Sequence, residues 1–380
     1  MSDVLIVGDT ERVPELRHEV PLTIPDPFFY AERDGRRIVV IGSMEIPRIE
    51  GAGAGLEVHP LEEFGSDELL RAGLEMYAYR NELTVRVARG LGLERALVPR
   101  QFPLAAADEL RRIGVELTVD QEHFDERRRA KSEAELAGIR RAQRATETAM
   151  AEAFELLRRA EPRNGGLVVD GEPVTCELLK ERVQSVFLRH GAFSADPIVS
   201  HGPQTAVGHD MGTGPIGADD VVLLDLFPQD LASACYADMT RTFAVGRVSD
   251  DVRERHRLCK EALDRAVAGV RPGVNGGDLH REASDLFAEH GHPTQLTKEE
   301  GEVLEDGFYH GLGHGVGLAV HEAPSLGLIG QELVVGDVVT IEPGLYRRGV
   351  DGVRIEDLAL VTEDGCEVLT DFHYDLEVSR

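Results

Sequence analysis

Tryptophan is absent from this 380-residue chain, and cysteine is scarce. Cys176, Cys235, Cys259 and Cys366 are scattered without Cys-x-x-Cys spacing. Neither a disulfide framework nor a zinc knuckle follows, and a reducing cytoplasm is the simplest compartment. Long apolar runs are also missing. None approaches the roughly 18 residues needed to span a bilayer, although a hydrophobic content of 42% is ample for buried cores. Met1-Ser2-Asp3-Val4 lacks a basic n-region, so no signal peptide is expected. Basic residues are outnumbered: 41 Lys and Arg against 69 Asp and Glu leave a net charge of −28. That sign argues against nucleic acid and anionic membranes as partners. Most of the charge reads as solvated surface. It would also attract metal cations, and it suits a salty growth environment.

What is present is length for more than one domain, with two or three as the prior. Residues 1–125 read as a separate α/β unit. Strands are expected at Val4–Val7, Arg37–Met44, Ala96–Val98 and Val115–Val119, with a turn at Asp34-Gly35. Ser66-Asp67-Glu68 opens a helix running to about Gly90, and Ala105–Ile113 is a second helix. The alternation suggests a mixed sheet with helical cover. No constellation of His, Asp and Glu lies in this unit, so its expected role is architectural.

The charged stretch Glu122–Lys131 reads as a linker into a second domain over 126–380. Ser132 and Glu135 form a capping box. A long helix follows to about Ala160, with Leu136, Ile139, Met150, Phe154 and Leu157 as its apolar stripe. Another helix spans roughly Thr175–Arg189. Phe187–Gly191 and Phe287–Gly291 echo one another at an offset of 100, as a duplicated half would leave behind. Strands are expected at Val221–Phe227 and Ala234–Val245, helices at Asp251–Val270 and Asp278–His290, and strands at Asp337–Tyr346 and Gly352–Val361. The fold class is α+β.

Between the helices and the last strands lies Tyr309–Glu322, which sets His310, His314 and His321 among four glycines. The His-Glu-x-x-His pattern of a zincin helix is absent, and so many glycines disfavour a regular helix. The stretch reads as a glycine-rich strand and bend that aims imidazoles into a cavity. A single histidine there would suit a surface loop. Three in twelve residues, flanked by acidic motifs, point to a site.

Five ligand-type residues emerge: Asp225, Asp238, His314, Glu342 and Glu356. Each carboxylate sits in otherwise apolar sequence, as in Leu224-Asp225-Leu226 and Ile341-Glu342-Pro343. Such groups are rarely buried unless paired or coordinating. At an effective dielectric of about 20, two like charges 4 Å apart repel by roughly 4 kcal/mol. Four clustered carboxylates therefore need protons, arginines or multivalent cations. Taken singly, Asp225 could be a strand-end cap, Asp238 could pair with Arg241, and Glu356 with Arg354. Together with one imidazole the four could hold two divalent ions, a centre suited to amide hydrolysis.

From about residue 130 onward the chain resembles the pita-bread metallopeptidases, the family of methionine aminopeptidase, Xaa-Pro aminopeptidase and prolidase. The resemblance is carried by Leu223-Leu224-Asp225, Tyr236–Phe243, His310–Glu322, Thr340–Tyr346 and Val353–Asp357. It implies that Asp225 and His314 each chelate one metal, that Asp238 and Glu356 bridge the pair, and that Glu342 completes the shell and shuttles the proton of a bridging hydroxide. His209 resembles a family histidine placed seven residues after a glycine, here Gly202. His310 and His321 resemble two that line the substrate site, with His321 contacting the scissile carbonyl. His201 matches nothing in the family pattern. The α/β domain before residue 126 is similar to that of the Xaa-Pro peptidase and creatinase branch.

Two departures stand out. Asp225 and Asp238 are thirteen residues apart where the family hairpin commonly gives eleven, and Phe227 replaces a frequent glycine. The resemblance implies cleavage of an Xaa-Pro bond in a short proline-containing peptide by a dinuclear enzyme. Manganese is the expected metal, with Co, Zn or Fe also suited to the ligands, and a homodimer is the expected assembly. The chain length slightly favours a dipeptidase. A non-proline aminopeptidase of the same fold and a non-catalytic scaffold are the alternatives.

Overall fold

The computed structural model of this chain describes residues 3–378. The chain divides into two compact units, residues 1–128 and 129–380. Among the described residues, no helix is long and apolar enough to cross a membrane.

In the first unit a six-stranded sheet runs in the order Glu57–Pro60, Arg36–Ile41, Phe28–Arg33, Val4–Gly8, Arg95–Val98, Glu116–Val119. Side chains alternate across it as the two-residue period requires. Val4 and Ile6 pack with Tyr30, Val39 and Ile41 on one face. Leu5 packs with Ala31, Ala96 and Leu110 on the other. Pairing is antiparallel in the central hairpins and parallel at the flanks, so the sheet is mixed. The strands Phe28–Arg33 and Glu57–Pro60 exceed the sequence expectation. Asp34 and Gly35 turn the hairpin with φ of 52° and 75°, as a two-residue loop between twisted strands demands.

One expectation in this unit needs correction. The helix from Ser66 to Gly90 is two helices, Ser66–Arg71 and Met76–Gly90, separated at Gly73, whose φ is 70°. The stretch read as a linker, Glu122–Lys131, contains the boundary between the two units and is largely the helix Gln121–Arg129. It buries only Phe124 and Arg128, and Arg128 donates to Glu15 at 3.1 Å. A helix that polar is held by tertiary contacts, so its apolar periodicity was faint.

In the second unit the long helix Glu133–Arg159 opens on the expected capping box. The Glu135 N–H donates to Ser132 Oγ at 3.2 Å, and the Ser132 N–H donates to Glu135 at 2.8 Å. With the helix Cys176–Arg189 it covers a three-stranded sheet of Ile198–His201, Val221–Leu226 and Met239–Ala244. Met150, Leu157, Leu179 and Phe187 meet Val222, Leu224 and Phe243 in that core. The second half repeats the scheme. Helices Asp250–Gly269 and Gly276–Glu289 pack Leu258, Leu263, Leu279 and Phe287 against Val339, Ile341 and Val353. The two echo motifs end the shorter helix of each half at Gly191 and Gly291, with φ of 67° and 82°, the left-handed stop that glycine favours.

The last strands are shorter than expected, and the way they break positions the site. Val338–Ile341 and Gly344–Arg347 replace one strand, and Asp351–Arg354 and Asp357–Val361 replace another. The inner pieces, Val338–Ile341 and Asp357–Val361, pair in a five-stranded sheet. The outer pieces, Gly344–Arg347 and Asp351–Arg354, pair in a separate three-stranded sheet. Both chains thus change sheet at one level, at Glu342-Pro343 and at Ile355-Glu356. Proline has no N–H for a ladder, which gives the first break a local cause. Asp238 likewise precedes its strand, Met239–Ala244, rather than lying inside it.

Candidate metal centre

All eight residues singled out for the site line one cavity of about 880 Å³: His209, Asp225, Asp238, His310, His314, His321, Glu342 and Glu356. Every lining residue belongs to the second unit. His201 does not line the cavity. Its Nδ1 meets Asp220 at 2.6 Å and its Nε2 faces the Thr213 carbonyl at 3.3 Å, a structural tie within the loop that leads to His209.

The tightest donor set is Asp238, His314 and Glu356, whose ligand atoms all lie within 4.8 Å of one another. His314 sits in the short strand Gly313–Gly315. A Cβ on Gly313 would lie 2.0 Å from the Thr340 carbonyl oxygen, and one on Gly315 would lie 2.2 Å from that of Ala323. Only glycine permits that approach, so the flanking glycines seat His314 close under its neighbours. The His314 N–H donates to Thr340 Oγ1 at 3.0 Å, and its Nδ1 lies 3.2 Å from the Gly315 carbonyl. Donation from Nδ1 assigns the neutral tautomer with the Nε2 lone pair free. That Nε2 lies 3.5 Å from Glu342 Oε1 and 3.9 Å from Asp238 Oδ2. Burial, then the neighbouring His321, pushes the imidazole down to about 3, so it stays uncharged.

The acidic groups respond in the opposite sense. Burial pushes the Glu342 carboxyl up to about 8. Asp238 is raised well above the usual carboxylate range by burial, then by Glu356, Asp225 and Glu342. Glu356 is raised by burial, then by Glu342 and Asp225. Each would hold a proton unless a cation replaced it. Asp225 Oδ1 and Asp238 Oδ1 are buried with no hydrogen-bond partner. Unsatisfied buried carboxylate oxygens beside a free imidazole lone pair fit divalent cations of the Mn, Co, Fe and Zn class.

A layer of residues behind the cavity wall holds these donors. Arg354 was a candidate partner for Glu356, but its guanidinium donates to Asp225 Oδ2 at 2.5 Å, to Thr240 Oγ1 at 3.2 Å and to the Tyr346 hydroxyl at 3.0 Å. Arg241 pairs with Asp357 at 2.9 Å, and not with Asp238. It also donates to the Glu356 carbonyl at 2.7 Å. Thr240 lies opposite Asp225 in the ladder and donates from Oγ1 to Glu356 Oε2 at 2.7 Å. One hydroxyl therefore ties the hairpin to the second sheet crossing. The signal was present: Thr240 and Arg354 each stand two residues from a ligand candidate, the spacing at which side chains of an extended chain point to one side.

The three remaining histidines differ. His310 lines the cavity with both nitrogens engaged, Nδ1 at 2.7 Å from the Gly311 carbonyl and Nε2 at 2.8 Å from the Tyr346 hydroxyl. Burial pushes it down to about 3. His209 and His321 are exposed at the cavity, and His321 packs edge-on against His314 with centroids 4.1 Å apart. These two are the imidazoles open to a ligand.

The expected thirteen-residue gap between the aspartates is built into the structure. The chain leaves the Val221–Leu226 strand, pairs Gln229–Asp230 with Ala192–Phe193, and returns at Met239. Asp230 takes two bonds from Arg141, at 3.0 and 2.8 Å. Register resumes at Leu226 opposite Met239, so both aspartates reach the cavity.

Comparison with known proteins agrees with this geometry. Residues 137–363 match the model of metallopeptidase family M24. The Xaa-Pro dipeptidase of Pyrococcus furiosus is 36% identical over 177 residues, covering 46% of this chain and 47% of that protein. The matched stretch thus spans about half the length of that curated relative. An Xaa-Pro dipeptidase from Bacillus anthracis superposes with a TM-score of 0.78 at 23% identity, over 99% of this chain and 94% of that one. An X-Pro aminopeptidase from Thermotoga maritima gives 0.76 at 21%, over 99% and 97%. These likenesses establish the fold, α+β with a pita-bread domain. With the family model matched across the whole donor set, this chain is a member of metallopeptidase family M24.

Proposed function

We propose that this chain is a dinuclear metal-dependent peptidase that cleaves the Xaa-Pro bond at the N-terminus of dipeptides or short peptides. The observation that carries the reading is the convergence of five donors and two open imidazoles on one cavity. Proline specificity is carried over from the names of the relatives. In this reading Asp225, Asp238, His314, Glu342 and Glu356 would together hold the two ions. Manganese is the expected metal, and the cytoplasm and a homodimer are the expected setting.

A bound pair of divalent ions supplies Lewis acidity toward water and toward the scissile carbonyl. The chain's own residues supply the rest. Arg354 balances the Asp225 charge and keeps that carboxylate aimed at the cavity. The Glu342 carboxyl lines the cavity beside His314, 3.5 Å from its Nε2, where it would take a proton from the attacking water and return it to the leaving proline nitrogen. An imidazole N–H of His321 can donate to the carbonyl oxygen as negative charge builds there. His310, locked by Tyr346, serves as a fixed wall. One observation favours action on longer peptides over dipeptides. Arg354, the guanidinium lining the cavity, is already committed to Asp225, Thr240 and Tyr346, so a free substrate carboxylate would have only His209 and His321.

The test is hydrolysis of an Xaa-Pro dipeptide and an Xaa-Pro tripeptide, side by side, after chelator stripping and reloading with Mn, Co or Zn. Glu342→Ala is the control. Turnover of the dipeptide alone marks a dipeptidase, and turnover of the tripeptide an aminopeptidase. Silence on both with two ions bound rejects proline specificity and points to a non-proline peptidase. Silence with no ion bound leaves a scaffold.

A further inference from the structure

His321 is the open imidazole next to His314, yet among the described residues no hydrogen bond holds its ring. Its position depends on the turn that carries it. That turn, residues 316–321, connects the strand Gly313–Gly315 to the strand Glu322–Leu326, which returns antiparallel against it. Glu322 sits at the point of return, opposite Gly315, where the register is irregular. Its carboxylate points back under the turn. Oε2 accepts the Ala319 N–H at 3.2 Å, and Oε1 accepts from Lys131 Nζ at 2.6 Å. Both side chains are nearly dry, Lys131 at 2% and Glu322 at 4% exposure.

Lys131 is itself firmly placed. It precedes the N-cap Ser132 of the long helix. Two residues upstream, Arg129 grips the fully buried Asp337 at 2.9 and 2.6 Å. Space around the pair is tight. A Cβ on Gly317 would lie 2.4 Å from Glu322 Oε1 and 2.9 Å from Lys131 Cε. The turn thus closes over an ion pair with no slack beneath it.

We propose that Lys131 is a positioning residue: its ammonium holds Glu322 under the turn, and through Glu322 it fixes His321 against His314. The inference rests on the peptidase reading for its consequence and on the contacts alone for its geometry. Removing the ammonium takes away the charged bond that Oε1 accepts in this nearly dry place, and breaking a buried pair is strongly destabilising. With a neutral residue at 131, Glu322 would swing toward water and carry His321 with it.

The experiment compares the metal-loaded wild type with Lys131→Met, Lys131→Arg and the double variant Lys131→Met with Glu322→Gln. Three readouts are taken: kcat and KM on an Xaa-Pro peptide, bound metal, and amide hydrogen exchange over residues 317–322. Lys131→Met is expected to lower kcat at least tenfold with bound metal unchanged, and to speed exchange in 317–322 at least tenfold. Lys131→Arg should recover part of both. Exchange and kcat of Lys131→Met within twofold of the wild type would overturn the proposal. If Lys131→Met does not fold, the double variant decides, since it removes both charges while keeping the packing. A double variant with wild-type kcat and exchange would overturn the proposal, and slower turnover with faster exchange would support it. Exchange is read without substrate. A wild type inactive on every Xaa-Pro peptide therefore rejects the peptidase reading, while the exchange comparison still decides the geometry.

Discussion

The two halves of the metal cavity hold their carboxylates by different means. On one side Asp225 and Asp238 come from a hairpin whose strands stay in one sheet, Val221–Leu226 against Met239–Ala244. On the other side Glu342 and Glu356 come from strands that leave one sheet and enter another at the glutamate itself. The hairpin supplies rigidity through ladder bonds and needs a detour to return Asp238. At the crossings each glutamate keeps one backbone bond, Glu342 N–H to the Leu312 carbonyl at 2.8 Å and Glu356 N–H to the Thr240 carbonyl at 3.0 Å, and side-chain bonds from the hairpin add to the second: Thr240 to the Glu356 carboxylate, and Arg241 to the Glu356 carbonyl. The lesson is that the second side depends on the first. Its key fasteners, Thr240 and Arg241, belong to the hairpin.

The largest effects should come from the closest donor group, Asp238, His314 and Glu356. Glu356→Ala and His314→Ala are each expected to lower kcat/KM by at least about a thousandfold, some 4 kcal/mol of barrier, with loss of bound metal read by elemental analysis. Retention of two ions in Glu356→Ala would show that the crossing is not part of the centre. Arg354→Met comes next. Removing a buried guanidinium bonded to Asp225 should cost about 3–5 kcal/mol of stability and about a hundredfold in turnover, measured by chemical unfolding and by steady-state rates. If Thr240→Val matched Arg354→Met in turnover loss while leaving Asp225 untouched in a crystal structure, the fastening between the two halves would matter more than the charge on Asp225.

These dependencies mark where the sequence could be read and where it could not. The capping box at Ser132, the left-handed turn at Asp34-Gly35 and the glycine-flanked His314 are local, and each has a local physical cause. The sheet crossings are not. Asp337–Tyr346 reads as one strand because its apolar alternation continues through Pro343, although that proline was a signal that the ladder must stop. No local feature foretells the break at Ile355-Glu356, which follows from pairing with a strand that has itself changed sheet. Likewise the partner of Arg354 is 129 residues away. Spacing within one strand suggested Glu356 instead. The helix Gln121–Arg129 was read as a linker because its surface is almost wholly charged.

Loading state should separate the two sides by pH. The folded Glu342 carboxyl is raised to about 8 from an ordinary 4.5, so the metal-free folded state binds this proton more tightly than the unfolded chain does. Its contribution to stability is complete below about pH 4.5 and is lost as pH rises through about 8. Glu342 alone should contribute a loss of about 1.4 kcal/mol per pH unit in that window, to which the raised Asp238 and Glu356 add, followed by urea unfolding at pH 5 and pH 8. Manganese should flatten the slope, because a cation takes the place of the proton. Glu342→Gln should reduce it without metal. An unchanged slope in that variant would assign the effect to Asp238 and Glu356 alone.

The smallest expected effect probes the detour on the hairpin side. The chain between Leu226 and Met239 docks on the long helix at two points one turn apart. Arg141 donates twice to Asp230, and at Gly138 an added Cβ would lie 2.0 Å from Ser233 Oγ. Asp230 is also bonded by the Ser233 N–H and hydroxyl at 2.8 and 2.7 Å. Because Arg141 is 41% exposed and Asp230 keeps its serine donors, Arg141→Ala should cost only about 1 kcal/mol. The loss should nevertheless reach the centre, since the same detour returns Asp238 to its place. A metal affinity about threefold weaker, measured by chelator competition, is the expected signature. If stability falls and affinity does not, the detour is a surface clasp and the Leu226–Met239 register alone seats Asp238. If affinity falls with no change in stability, the extra residues exist to aim the aspartate.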